Sequence, residues 1–294
     1  MLLYNFVFFI ILILCISLLT LLERYYLAFS QIRLGPSKVF FMGSVQMIFD
    51  GLKLFFSEYI FLLNQENLIF FLMPLFSFFM MLLSFFLSLY YFNFVSFNMN
   101  FFWLFIFLGM MVFFLIMISY FSKSKYSEIS SLRSSSIMVS FDMVFIFFCL
   151  ILFIIMKDLC FNYYVFIFML IVFYYLILMI ILVDLNRGPF DFLEGESELV
   201  SGFNLELSSF FFVFYFLSEY GFIYFFSYFL MLYYFNYIFF FVNFFLIMFF
   251  RLVYPRYRYD LLMFLCWFIL LWITMIWIFL FMIFKKLLYL VFLF

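Results

Sequence analysis

The sequence predicts an all-α integral membrane protein, a single membrane domain over residues 1–294 with about eight transmembrane helices and an amphipathic interfacial helix after the first span. Three observations predict it. Hydrophobic residues make up 72% of the chain and charged ones only 10%. A soluble domain keeps its apolar share nearer one half, so the solvent for this surface has to be lipid. Apolar runs of spanning length recur along the chain, and basic residues gather in alternate connections between them.

Eight runs are long enough to cross about 30 Å of hydrocarbon. They cover roughly 1–22, 68–92, 101–121, 137–156, 161–183, 210–231, 236–250 and 261–284. Residues 1–22 lack a basic leader region and a small-residue cleavage site, so they read as the first span. After it, Val45, Ile48, Phe49, Leu52, Phe55 and Phe56 recur at helical spacing, with Asp50, Lys53 and Ser57 opposite. This is an amphipathic helix lying along the interface, preceded by a turn at Gly35-Pro36. From the pattern alone, a plain surface helix with a solvated face is the commoner meaning. With eight spans, loops 23–67, 122–136, 184–209 and 251–260 share one side. They hold Arg24, Arg33, Lys38, Lys53, Lys123, Lys125, Arg133, Arg187, Arg251, Arg256 and Arg258, and only Lys157, Lys285 and Lys286 fall opposite. Twelve of the 15 acids share that side. Positive charge marks the side of insertion. Balanced charge suggests a docking surface or a hydrated chamber as well.

Composition also excludes chemistry. The net charge is −1, so no basic field draws nucleic acid. There is no histidine, and Cys15, Cys149, Cys160 and Cys266 form no CxxC pair. The chain is therefore expected to bind no metal, haem, iron–sulfur cluster or flavin of its own. The 63 phenylalanines exceed any packing need and fit a thymine-rich gene.

Four constellations remain as candidates. The first is the segment 23–58, whose amphipathic helix sets Asp50, Lys53 and Ser57 opposite its apolar face. The second is the loop DLNRGPFDFLEGESELVSGFNLE, which sets Glu194, Glu196 and Glu198 at alternate positions between Asp191 and Glu206. Crowded carboxylates repel, so some hold protons where water is scarce, as a proton relay or a quinone pocket requires. A charge run is more often solvated. This one also carries Phe190, Phe192, Leu193, Leu199, Val200 and Phe203, which favours a folded, partly buried loop. The third is the pair of carboxylates inside spans, Asp142 and Glu219. Intramembrane acids mark proton or ion paths by default, and the plain alternative is a neutral acid bonded to a neighbouring helix. Function is favoured for Glu219, near the middle of its helix, whereas the two readings balance for Asp142, near an interface. The fourth, RLVYPRYRYD at 251–260, reads as an insertion anchor, with lipid head groups or an acidic protein as the alternative.

These residues closely resemble the subunit 1 family of NADH dehydrogenases, the membrane subunit of complex I. NRGPFDFLEGESELVSGFN and ERYYLAFSQIRLGPS are similar to its two signature loops. DGLKLFFSE, SKYSEISSLRSSSIMVSFD, LSEYGFI and RLVYPRYRYDLLM match further blocks in order. The resemblance implies a mitochondrial inner-membrane protein, with its charged loops on the matrix side. It implies ubiquinone as substrate at an interface with peripheral-arm quinone-site and iron–sulfur subunits, alongside other membrane subunits and lipid. No catalytic site is complete in this chain alone. By position, Glu23, Arg24, Arg33, Asp50 and Lys53 match quinone-cavity residues. Asp142, Asp184, Asp191, Glu194, Glu196, Glu198, Glu206 and Glu219 match the acids that couple quinone reduction to proton movement. The chain departs from the family pattern at Tyr25 and Leu34, where basic residues are usual, at Asp142 and Asp184, where glutamate is, and at Leu261 in place of a glutamine. Two other readings are the membrane anchor of an energy-converting hydrogenase and a stand-alone proton-coupled transporter. The transporter predicts inverted repeats, and none is visible.

Overall fold

The computed structural model describes residues 2–37, 43–58, 67–90, 97–157, 163–191, 207–234 and 237–292. These are mostly helix joined by turns, with no strand among them. The order is α1 (Leu2–Ser30), α2 (Gln46–Phe55), α3 (Asn67–Tyr90), α4 (Phe97–Ser122), α5 (Lys125–Lys157), α6 (Tyr163–Asp184), α7 (Ser209–Tyr234), α8 (Tyr237–Val253), α9 (Tyr259–Phe264), a π-helical turn (Leu265–Leu270) and α10 (Leu271–Phe292). Among the described residues, six helices are long and apolar enough to cross a membrane, and Tyr174–Asp184 and Phe240–Val253 are shorter apolar helices. Helix is forced on apolar segments in lipid, because each backbone N–H and C=O needs a partner inside its own segment.

Helix α7 is the hub. It packs against α1, α2, α3 and α8, while α5 packs against α4, α6 and α10. The core between them is aromatic and aliphatic: Phe141, Phe145, Phe148 and Phe226 are almost wholly enclosed. Gly221 lets α3 approach α7 closely, since a Cβ there would stand 2.6 Å from the Met81 sulfur. Pro74 sits within α3. Its carbonyl accepts the Ser77 hydroxyl at 2.8 Å, and Ser77 in turn meets Ser218 of α7 at 3.3 Å.

Several boundaries differ from the sequence expectation. The loop expected at 122–136 is mostly the first part of α5, which begins at Lys125. Hydropathy marks where apolar residues are, but a serine-rich helix continues past them when its hydroxyls satisfy its own carbonyls. Ser127, Ser130, Ser131, Ser134, Ser135 and Ser136 each donate to the carbonyl three residues earlier. Likewise α1 runs on to Ser30, which puts Glu23 and Arg24 on a helix rather than in the loop 23–67. It stops where Ile32 turns into the left-handed region at φ 54° and the Arg33 N–H caps the Ala28 carbonyl at 2.9 Å. Arg251 belongs to α8, and the last helix begins at Tyr259 and runs to Phe292 through the π turn.

The amphipathic segment does form a helix, α2. Met47 faces the bundle, whereas Ile48, Phe49, Leu52 and Phe55 are exposed, so its apolar face points outward. Phe55 also stacks edge-on against Phe210 and Phe214 of α7.

Candidate functional site

The site is a chain of alternating charges between helices. It starts at Glu23 on α1, which is only 6% exposed. Glu23 forms an ion pair with Arg251 of α8 and accepts a hydrogen bond from the Tyr220 hydroxyl of α7 at 2.5 Å. The Tyr220 oxygen accepts from Arg187 Nη1 at 3.3 Å. Arg187 lies just past α6, is also 6% exposed, and reaches Glu219 of α7 with its other nitrogen at 3.4 Å. Its guanidinium sits over the Tyr220 ring, 4.1 Å from the centroid, and 5.9 Å from that of Phe216. Charges this deep persist only when paired and hydrogen-bonded, and each here has an opposite partner.

Glu219 also lines a small cavity of about 40 Å³, shared with Asp142, Asp184, Asn186 and Tyr215. That is room for a few water molecules. Three elements bring the acids together: α5 carries Asp142, the end of α6 carries Asp184, and α7 carries Glu219. The Tyr215 hydroxyl bonds to Glu219. Both Asp184 oxygens and the Asn186 carbonyl oxygen are buried without a protein hydrogen-bond partner. The cavity is therefore a pool of acceptors inside an apolar wall, a setting in which water or a proton is strongly held.

Within the segment 184–191, Asp184, Leu185, Asn186, Arg187, Pro189 and Phe190 are buried, and Gly188 and Asp191 are half-buried. It is held by the arm after α8. The Tyr257 N–H donates to the Pro189 carbonyl at 3.1 Å, and the Phe190 and Tyr257 rings lie 5.3 Å apart. Arg256 pairs with Asp191 at 3.4 Å. Gly188 leaves room for the Arg251 side chain, which a Cβ would meet at 3.3 Å. Arg251 and Arg256 thus make specific contacts, beyond the anchor role expected for 251–260. Glu194, Glu196, Glu198 and Glu206 lie outside the described residues.

The remaining candidates sit apart. Arg24 and Asp50 form an ion pair at 2.7 Å, with each side chain nearly half exposed. It ties α1 to α2. Arg33 and Lys53 are exposed. Tyr25 holds the intervening loop: its ring lies against Gly35, where a Cβ would stand 2.4 Å from it, and its hydroxyl donates to the Pro36 carbonyl at 3.2 Å. Among the described residues, no group of three histidine, cysteine or acidic side chains is placed to hold a metal ion.

The sequence assigns no site role to Tyr220, Arg187, Tyr215 or Asn186, and it reads Arg251 only as part of an insertion anchor. One signal was available. Buried acids require buried cations, and Arg251 directly follows the apolar run 236–250.

Fold and site together define a multi-pass membrane protein with a buried ionic chain running from Glu23 on the first helix to carboxylates within the bundle. The chain belongs to the NADH dehydrogenase family, whose model matches residues 3–282. It is 34% identical over 219 residues to NADH-ubiquinone oxidoreductase chain 1 of Apis mellifera ligustica, spanning 72% of this chain and 71% of that one. The protein of the same name from Rhipicephalus sanguineus is 35% identical over 251 residues, 81% of this chain and 80% of its own. The one from Neurospora crassa is 30% identical over 220 residues, 71% of this chain and 59% of its own.

Proposed function

We propose that this chain is the quinone-chamber subunit of a proton-pumping NADH:ubiquinone oxidoreductase of the mitochondrial inner membrane. In this reading it spans the membrane eight times, as one domain, with its charged loops in the matrix. Electrons reach ubiquinone from peripheral-arm iron–sulfur subunits docked on those loops. Reduction of one quinone to quinol takes two electrons and two protons. Glu23, Arg24, Arg33, Asp50 and Lys53 face the chamber side. Asp142, Asp184, Asp191, Glu194, Glu196, Glu198, Glu206 and Glu219 carry the response toward neighbouring membrane subunits.

The observation that supports this reading best is the ionic chain Arg251–Glu23–Tyr220–Arg187–Glu219 and its cavity. Its charges sum to zero, so one proton added at Glu23 leaves a buried excess of +1. At low dielectric such an excess cannot be ignored by the other members. A proton drawn in at one end therefore disturbs carboxylates at the other, which is what coupling needs.

The test begins with the assembly. Membranes are extracted in mild detergent, resolved on a native gel and stained for NADH oxidation, and the chain is located by mass spectrometry. The expected result is a very large NADH-oxidising band whose quinone reduction is blocked by quinone-site inhibitors. Migration with a hydrogenase, or alone, overturns the reading. In the assembled enzyme, Glu196→Gln and Glu198→Gln are expected to slow or uncouple turnover. Equal quinone reduction and equal pumping would remove the coupling role from that loop.

A further inference from the structure

Two ion pairs, Arg251–Glu23 and Arg187–Glu219, meet at one atom, the phenol oxygen of Tyr220. We infer that Tyr220 is a positioning residue that couples Glu23 to Glu219 by fixing where Arg187 sits. The inference rests on the coupling role proposed above.

The argument is one of proton accounting. A phenol has a single proton, and Tyr220 donates it to Glu23 Oε2. A proton passed along this chain toward Glu23 would have to be replaced on Tyr220 from its Arg187 side. There the donor is Arg187 Nη1. A guanidinium does not give up its proton in proteins. The chain Glu219–Arg187–Tyr220–Glu23 is thus interrupted for protons at Arg187, although it is continuous for hydrogen bonds and charge.

Position is what the chain can transmit. Arg187 is stacked over the Tyr220 ring, bonded to its oxygen and paired with Glu219. While Glu23 is an anion, it draws the phenol proton toward itself. This leaves the phenol oxygen richer in electrons and a better acceptor for Arg187. A proton on Glu23 weakens that polarisation and leaves Arg251 unneutralised. Arg187 is then held less firmly at the Tyr220 end, and the counter-charge at Glu219 shifts with it. The ring and the hydroxyl act on the same guanidinium through different interactions, so they can be removed one at a time.

The experiment uses the assembled enzyme in sealed vesicles and records protons translocated per quinone reduced, with the NADH:quinone rate measured alongside. Tyr220→Phe keeps the stacked ring and removes the hydroxyl, whereas Tyr220→Leu removes both. The expected result is a partial loss of the proton-to-quinone ratio in Y220F and a deeper loss in Y220L. A merely structural role would lower the amount of enzyme and leave this ratio unchanged. Should Y220L fail to assemble, Arg187→Lys makes the same comparison, because an ammonium keeps the charge but loses the planar stack and fork. Equal and complete loss in Y220F and in the second variant would show that the hydroxyl itself passes the proton, overturning the inference. A wild-type ratio in both would overturn it too. Glu219→Gln is the control that separates the two levels. If it pumps normally, the coupling reading itself fails. If it is defective while both Tyr220 variants are normal, only the role of Tyr220 fails.

Discussion

Arg187→Met is the sharpest test of the buried ionic chain. The Arg187 side chain is 7% exposed and that of Glu219 15%, with 3.4 Å between them. Removing one partner of a buried pair costs about 3–5 kcal/mol, because the other charge is left uncompensated. The long contact and the residual exposure of Glu219 put this pair at the lower end, about 3 kcal/mol. Losing the stack on Tyr220 adds about 1 kcal/mol. Removing both charges in Arg187→Met with Glu219→Gln leaves no stranded ion, and such replacements are often neutral. The double variant is therefore expected to be more stable than R187M alone, with a coupling of about 1.5 kcal/mol or more. A large assembly does not unfold in two states, so the readout is the order of thermal-inactivation midpoints and of assembled enzyme on native gels. Wild type should lead, followed by the double variant and then R187M. If the double variant falls below wild type by the sum of the two single effects, Arg187 and Glu219 do not interact and the chain of charges is wrong.

Other expectations follow from the same contacts. The exposed pair Arg24–Asp50 is worth at most about 1 kcal/mol, so Arg24→Ala and Asp50→Ala should assemble normally on native gels. Asp184 is buried with both oxygens lacking a protein partner, and a leucine of similar size places no polar atom there. Asp184→Leu is therefore expected to assemble at least as well as wild type while losing proton translocation in vesicles. An assembly defect with normal pumping would reverse that assignment. Arg33 is exposed beyond the end of α1. Arg33→Ala should raise the KM for quinone without removing the protein from the membrane, and unchanged quinone kinetics would count against a chamber role.

Much of this protein is legible in its sequence because lipid imposes one rule on every span. Backbone groups must be satisfied within the segment, so an apolar run of spanning length is a helix wherever it packs. The loop motifs point to the family for the same local reason: each is a short string, readable without its neighbours. Boundaries are less legible. The serine-rich start of α5 and the polar end of α1 are helical although hydropathy gives no sign of it. Pairing was left to the tertiary structure. Glu23 and Tyr220 are 197 positions apart in the chain and Tyr174 and Asn243 are 69 apart, and no periodicity relates them. Nor does the sequence tell that Asp142, Asp184 and Glu219 share one cavity while Arg24 and Asp50 pair at the surface. The physical reason is that helix formation depends on each segment and its solvent. The partner of a buried charge depends instead on which faces of several helices meet, and that is settled only when the whole bundle packs.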